Sequence, residues 1–263
     1  MPYCDFLHPL RSIRVGWETC DGEISLIEYT EREPDLLSPD EQTAVVITPA
    51  ADLVVHRFPT IRRTAHRYVF EAEQFFTDAE RSAMNLFSIK GADTSASRQW
   101  DVIMGYSSRG LTNPVNEIVA ACMATVPDGD CFVCGVFPDR IVVALQQGSI
   151  TDIRSVSWRN RSVGEELRAT LTLMAHDHLV SSLPLVLFGD ALSRQTLNIL
   201  MDQKPAAAGE IKRLQPFRHI SSTLDDDSNR RILSRTHILG CIVGAIFMHE
   251  NSYPNPLLPV SIT

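Results

Sequence analysis

The sequence predicts an α/β fold of two lobes, and a duplicated pair of strands carries most of that prediction. Residues 13–29 and residues 131–150 each contain an apolar strand, a short turn and a second apolar strand, with a glycine near the end of the first strand. Segments with helical periodicity follow both pairs, at residues 61–76 and at residues 163–180. Strands that alternate with helices favour an α/β fold over an all-β fold.

Length, charge and cysteine content narrow the class of protein. The 263 residues are enough for one large domain or two lobes of ordinary size. A net charge of -8 gives no attraction for phosphate backbones, so no nucleic-acid partner is expected. The six cysteines lie mostly in apolar runs, the first residues show no signal-peptide pattern, and the run 238–248 is too short to span a bilayer. We therefore expect a protein of a reducing, cytoplasmic compartment.

The other elements follow from periodicity and turn chemistry. Residues 43–48 and 53–58 are expected to form a further pair of strands around a short turn, and Asn113 is expected to cap the helix that starts at Pro114. Asp225 and its two acidic neighbours are expected to cap the last helix. Further strands are predicted at residues 100–106, 150–158 and 183–190, further helices at 114–124, 191–201 and about 230–248, and a loop at 204–210.

The order of these blocks resembles one family of actin-like proteins. The segment VGWETCDGEISLIE is similar to the opening hairpin of PilM and GspL, which belong to type IV pilus and type II secretion machines. The later blocks FVCGVFPDRIVVALQQGSI, LVLFGDAL and HILGCIVGAIFM are similar to its second half. The resemblance covers most of residues 13–250 and implies the actin-like (ribonuclease H-like) two-lobed fold, with a duplicated hairpin and helix core. Its lobes would be residues 1–110, including a small subdomain around 43–90, and residues 111–252, followed by an extended tail at 253–263.

The same resemblance implies a degenerate nucleotide site. In actin-like sites both hairpins hold phosphates through backbone N–H groups, and each usually offers an aspartate to Mg²⁺ or to the attacking water. Here Glu18 stands at the first aspartate position, Cys20 replaces the glycine after it, and Val133 stands at the second position. We expect no catalytic residue, no metal and no hydrolysis, while ATP binding stays open. The residues assigned to this degenerate site are Glu18, Gly135, Gly189 and Asp190.

The function implied by the resemblance is that of a scaffold. Such a protein would lie at the cytoplasmic face of a bacterial inner membrane and link the assembly ATPase to inner-membrane platform proteins, and it would be compatible with a homodimer. The alternative is an active nucleotide-binding phosphohydrolase or kinase of the same fold. A redox or metal-binding module is a second alternative.

Two segments are candidates for partner binding. In the helix 61–76, arginines precede acidic residues, which opposes the helix dipole, so we expect a partner to use these charges, although a solvated face is the common role of such residues. The tail segment NPLLPV is similar to the peptide that binds PilM-like domains. It is either a proline-rich linker or an occupant of a groove in its own chain or a neighbouring copy. The assigned residues are Arg63, Arg67, Glu71, Glu73, Leu257 and Leu258.

Other chemical motifs in the chain favour structural roles. Cys131 and Cys134 have C-x-x-C spacing, but on a strand they point to opposite faces, which prevents a shared metal or disulfide. His176 and His178 do not face together on a helix, so we expect a partly exposed helix end there. The nucleophile motif G-x-S-x-G and the P-loop motif are both absent from the sequence.

Overall fold

The chain folds into two compact units that interleave along the sequence. The computed structural model describes residues 1–8, 11–20, 23–33, 43–59, 65–89, 100–107, 110–159, 161–215, 220–250 and 258–260. Unit 1 comprises Met1–Ala50, Gly110–Pro127 and Leu214–Pro254, and unit 2 comprises Ala51–Arg109, Asp128–Arg213 and Asn255–Thr263. The lobes predicted from sequence are contiguous, so each of them contains parts of both units.

Fifteen strands and seven helices build the described part of the chain. The strands are β1 (Tyr3–His8), β2 (Arg11–Cys20), β3 (Glu23–Arg32), β4 (Thr43–Thr48), β5 (Val54–Pro59), β6 (Met84–Ile89), β7 (Trp100–Ser107), β8 (Pro114–Asn116), β9 (Cys131–Val136), β10 (Arg140–Gln147), β11 (Ser149–Ser157), β12 (Leu183–Phe188), β13 (Ala208–Arg213), β14 (Ile220–Ser222) and β15 (Leu258–Pro259). The helices are α1 (Ala65–Phe75), α2 (Asp78–Ala83), α3 (Glu117–Thr125), α4 (Val163–His178), α5 (Arg194–Asp202), α6 (Asp226–Leu233) and α7 (Thr236–Glu250).

Unit 1 contains a six-stranded sheet in the order β14-β3-β2-β1-β4-β8. Its strand β1 pairs antiparallel with β2 and parallel with β4, so both of its edges are bonded. A buried ion pair crosses this sheet, because Arg14 on β2 lies directly opposite Asp5 on β1. Arg14 donates through Nε to Asp5 Oδ1 at 2.7 Å and through Nη2 to Oδ2 at 2.9 Å, and Thr43 donates to the same carboxylate at 2.9 Å. These bonds satisfy a carboxylate that is fully buried.

Unit 2 contains a five-stranded sheet in the order β11-β10-β9-β12-β13. Alternate residues of β9, among them Phe132 and Cys134, face a core that includes Leu167 and Leu171 of α4. The helix α4 starts at a capping box, in which Ser162 accepts from the Glu165 N–H and the Glu165 carboxylate accepts from the Ser162 N–H. The apolar face of α4 lies against the sheet from Val163 to Met174.

The two sheets repeat one topology. The order β3-β2-β1-β4-β8 in unit 1 matches β11-β10-β9-β12-β13 in unit 2, and each corresponding pair of strands has the same relative direction. The predicted duplication is confirmed, but its first copy was assigned one strand too late. The hairpin that matches β9–β10 is β1–β2, whereas residues 13–29 span β2 and β3. The strand β1 was missed because its six residues, YCDFLH, mix apolar side chains with a buried aspartate and a histidine.

A four-stranded sheet completes unit 2, in the order β15-β6-β7-β5. The helix α1 lies against it and contributes Tyr68 and Ala72 to a core cluster, which Phe76, the residue after α1, also joins. Sequence periodicity correctly placed the first two of these on the apolar face, but it chose Phe75 in place of Phe76. The structure leaves Phe75 exposed and buries Phe76. Residues 61–64 of the predicted helix lie outside the described residues.

Several predicted boundaries are corrected by backbone geometry. The N-cap of α3 is Asn116, whose side chain accepts from the Ile118 N–H, while Asn113 precedes the short strand β8. The strands β4 and β5 were expected to pair, yet they belong to different sheets. Residues 208–210, the end of the predicted loop 204–210, belong to β13, which pairs in parallel with β12.

The predicted last helix is two helices. Asp225 caps α6 by accepting from the N–H groups of Asp227 and Ser228, as expected, and α6 ends at Leu233. A bend of 98° separates α6 from α7. Among the described helices, none is by itself both long and apolar enough to cross a bilayer, and only this bent pair meets those criteria when its two members are taken together.

The contact between α3 and α7 generates a prediction about two glycines on one helix. A Cβ at Gly244 would overlap the backbone carbonyl oxygen of Ala120, whereas a Cβ at Gly240 would meet only the Leu214 side chain. Alanine raises helix propensity equally at both sites, by about 1 kcal/mol. We expect Gly244→Ala to lower the free energy of unfolding by about 1–3 kcal/mol more than Gly240→Ala, because a backbone atom cannot move aside as a side chain can. Urea denaturation of both variants measures this difference, and equal stabilities would contradict the close helix contact.

Candidate functional site

The two matching hairpins are where the resemblance to actin-like proteins predicts a nucleotide site. In the first hairpin the last paired residues are His8 and Arg11, and in the second the Phe137 N–H donates to the Arg140 carbonyl at 2.9 Å, so two residues separate the strands in each. Cys4 precedes His8 by as many residues as Val133 precedes Phe137, so Cys4 and Val133 occupy matching positions in the two hairpins. Both of these side chains are fully buried and neither is acidic.

This alignment corrects the place assigned to Glu18. That residue lies near the end of β2, where it pairs with Ser25 of β3 and is exposed. It therefore belongs to the hairpin β2–β3, and the residue that matches Val133 in unit 1 is Cys4. The sequence analysis assigned Glu18 to this position because it did not predict β1 as a strand.

The β9–β10 turn has little capacity to hold a phosphate. Pro138 has no N–H group, and the N–H of Phe137 is already bonded within the hairpin. Asp139 adds a negative charge at the turn. Hydrogen bonds from Arg140, together with the nearby charges of Arg140 and Arg159, outweigh its slight burial and lower the pKa of the Asp139 carboxyl. The carboxylate is thus the anion that these two arginines already bind.

The other three residues assigned to the degenerate site do converge in unit 2. Gly189 has a φ of 108°, a conformation that favours glycine, and a Cβ there would overlap the backbone of Val136. A Cβ at Gly135 would lie 2.6 Å from the Phe137 ring and 2.8 Å from the Phe188 ring. Asp190 follows Gly189 and is exposed. Both glycines are therefore required by close protein packing, and aromatic rings fill the space beside Gly135.

Among the partner-binding candidates, Arg67 and Glu71 have a local role. They form an ion pair at i,i+4 on α1, which supports the helix. Glu71 also contacts His56 Nε2 at 3.0 Å, so its charge is used within unit 2. The Glu73 side chain is exposed, and its backbone carbonyl accepts from Arg81 at 3.0 Å. Arg63 lies outside the described residues.

Next to these charges α1 exposes two aromatic rings. Phe70 is 51% exposed and Phe75 is 45% exposed. The guanidinium of Arg67 lies 5.6 Å from the centre of the Phe70 ring, and the His56 ring stacks on Phe75 at 4.2 Å. We call Arg67, Phe70, Glu73 and Phe75 the α1 surface.

The tail pairs with a strand of its own chain. In β15, Leu258 pairs with Ser88 and Pro259 with Phe87, both antiparallel on β6. The Val260 N–H donates to the Leu86 carbonyl at 2.9 Å, and Val260 packs against the core cluster beneath α1. The structure therefore shows residues 258–260 paired with a strand of their own chain, while the linker and groove hypotheses stay predictions. Leu257 lies outside the described residues.

Cysteines and acidic groups give no metal centre in the described part of the chain. The six cysteines are free, and no group of three or more His, Cys, Asp or Glu side chains is placed to hold an ion among the residues described. Cys134 faces the α4 core and Cys131 faces the other side of β9. Burial raises the pKa of the Cys134 thiol far above its ordinary value, which keeps it protonated and unreactive.

Comparison with known proteins identifies the fold. No family model matches the sequence, and no curated protein matches it. Among solved structures, the chain is similar to one in the PilM–PilN type IV pilus biogenesis complex, with a TM-score of 0.62 and 11% identity over 94% of this chain and 98% of that one. The chain has the actin-like fold.

Two further structures complete the comparison. A protein of unknown function from Bacteroides thetaiotaomicron, also with an actin-like ATPase fold, matches with a TM-score of 0.50 and 9% identity over 89% of this chain and 95% of that one. The cytoplasmic domain of EpsL, an inner-membrane component of the type II secretion system of Vibrio cholerae, matches with a TM-score of 0.40 and 14% identity over 76% of this chain and 93% of that one.

Unit 2 also contains a buried ionic cluster that the sequence did not reveal. Arg57 on β5 forms two bonds to Asp152 on β11, Nε–Oδ1 and Nη2–Oδ2, both at 3.0 Å. Asp152 Oδ2 also contacts Arg154 Nε at 3.2 Å and His178 Nε2 at 3.1 Å. Asp177 accepts from Arg57 at 3.2 Å and from Arg154 at 2.7 Å. This cluster joins the four-stranded sheet to β11 and to the end of α4.

The predicted exposure of the two histidines at the end of α4 is correct for only one of them. His176 is exposed, as predicted, with 85% of its side chain accessible, but only 6% of the His178 side chain is accessible. Burial would raise the pKa of Asp152, yet the hydrogen bond from His178 and the charges of Arg57 and Arg154 more than offset this and lower it. Asp152 is therefore charged at neutral pH, and its stabilising contribution rests on all three partners.

The ionic cluster predicts a large and pH-dependent effect of one substitution. Asp152→Asn leaves Arg57 and Arg154 buried with only Asp177 to compensate them, so we expect the free energy of unfolding at pH 7 to fall by about 3–5 kcal/mol. A carboxyl with a lowered pKa stabilises the fold above its unfolded pKa, near 4, and that stabilisation disappears as pH falls through the lower folded pKa. The gap between wild type and variant should therefore shrink in acid.

A matched control for that substitution is Asp139→Asn. The chemical change is the same, but the Asp139 pairs are partly exposed, so the cost should be about 0–1 kcal/mol. Denaturant unfolding from pH 7 to pH 3 measures both variants. Equal losses, or a gap for Asp152→Asn that stays constant in acid, would show that the cluster does not fasten unit 2.

Proposed function

We propose that this chain is a cytoplasmic scaffold of a type IV pilus or type II secretion inner-membrane platform, linking the assembly ATPase to membrane subunits. One fold serves many activities, so the proposal depends on what the site can do. The observation that carries it is the packing of the Phe137 and Phe188 rings against Gly135 at the end of β9. Likeness in fold to a chain of the PilM–PilN complex supports the assignment to this kind of machine.

The hairpin chemistry supports a scaffold without hydrolysis. A phosphate cradle needs free backbone N–H groups and room for close approach, and a metal–nucleotide complex needs a carboxylate at the strand end. At these places the chain offers Pro138, a bonded Phe137 N–H, and the apolar residues Cys4 and Val133. We therefore propose that the chain's role is to bind proteins and transmit movement.

The α1 surface supports the protein-binding part of the proposal. Exposed aromatic rings beside charged groups are typical of interface centres, because an aromatic ring buries a large area at low entropic cost. Phe70 and Phe75 meet this description, and neither is needed in the core cluster beneath α1. We propose that a platform protein docks on the α1 surface.

Co-purification from a producing bacterium tests this proposal. We expect the tagged full-length chain, after crosslinking in cells, to recover an inner-membrane platform protein and an assembly ATPase. Phe70→Asp should lower the recovery of the docked protein at least tenfold, because truncating an interface anchor costs 2 kcal/mol or more, about a 30-fold loss of affinity.

The control is Leu173→Asp on α4, which places the same charge on a side chain that is 56% exposed. It should leave recovery unchanged. If neither class of protein is recovered, the scaffold proposal is wrong. If both variants recover partners as wild type does, docking on the α1 surface is wrong.

A further inference from the structure

Without the two-residue strand β15, β6 would be an edge of its sheet, and its own sequence lacks the usual protection against self-pairing. Its six residues, MNLFSI, include no charge and no proline, and four of them are buried. Natural sheets protect such edges with charged side chains, proline, bulges or a covering segment. The opposite edge of the same sheet is β5, which contacts β11 within unit 2. The open side of β6 therefore depends on what covers it.

The cover is β15, and its sequence suits a terminating strand. The bond from Val260 N–H to the Leu86 carbonyl defines a hydrogen-bonded antiparallel pair, so the next such pair is Leu258 with Ser88. Pro259 lies between them, with its ring nitrogen facing away from β6. A proline at that place gives no N–H donor to any further strand. Growth of the sheet stops at β15.

The cover is also short. It provides two ladder residues and the Val260 N–H, and it adds one apolar side chain, Val260, to the core cluster. A cover of this size is held mainly because it is attached to the chain, which gives it a high local concentration. Once the cover has gone, the Leu86 carbonyl loses the hydrogen bond from the Val260 N–H.

We propose that residues 258–260 act as an internal cap that prevents β6 from pairing with β6 of a second copy of this chain. Edge pairing between two identical strands related by a two-fold axis is antiparallel and closes after two copies. The antiparallel pairing of β15 shows that the edge accepts this direction. The occupancy of the cap thus sets the oligomeric state, independently of the function proposed above.

Sedimentation equilibrium of a chain lacking Asn255–Thr263 tests the cap. Relative to the full chain, the truncated chain should double its weight-average mass as concentration rises. Adding a synthetic Asn255–Thr263 peptide at roughly millimolar concentration, comparable to the local concentration that attachment provides, should lower the mass towards that of the full chain. Asn85→Lys in the truncated chain should also restore it, because a charge on the edge strand opposes self-pairing.

Two results would overturn the proposal. One is a truncated chain that is folded by circular dichroism and keeps the mass of the full chain at all concentrations. The other is a doubled mass that neither the peptide nor Asn85→Lys reverses, since the contact would then lie elsewhere. If the truncated chain does not fold, Val260→Asp in the full chain decides: a doubled mass supports the cap, and an unchanged mass contradicts it.

Discussion

Two central strands, β1 and β9, set the architecture of the chain. Each is bonded on one side to its hairpin partner in the antiparallel sense and on the other to a strand that returns parallel to it. Two parallel strands must be joined by a crossover connection. In unit 2 the connection to β12, which is parallel to β9, includes the capped helix α4. All six residues of β9 and the first four of β1 are buried, and this burial decides which side chains the hairpins can carry.

The burial of these strands explains why the hairpins suit packing better than phosphate chemistry. At the end of β9, the rings of Phe137 and Phe188 close on Gly135, while Gly189 fits against the backbone of Val136. In this chain Gly135 and Gly189 allow close contact between protein atoms, and not the close approach of a ligand. This packing, together with the exposed α1 surface, supports the proposal that the chain acts as a scaffold.

Sequence reasoning succeeded where the signal was local. The hairpin β9–β10, the cap at Asp225 and the apolar positions Tyr68 and Ala72 follow from patterns within about ten residues. It failed where partners are distant: Arg57 meets Asp152 across 95 positions and Asp177 across 120, and no periodicity brings them together. It also failed at β1, whose buried Asp5 depends on Arg14 and Thr43 for its partners. Burial of a charge is decided by the partner, which the local sequence does not show.

The measurement that tests the central claim most directly is titration calorimetry of the full-length chain with Mg-ATP, combined with an assay of phosphate release. If the hairpins are closed by protein, ATP should give no saturable heat, and phosphate release should equal that of buffer alone. Saturable binding together with phosphate release above buffer would contradict the account and would favour an active phosphohydrolase or kinase of the same fold.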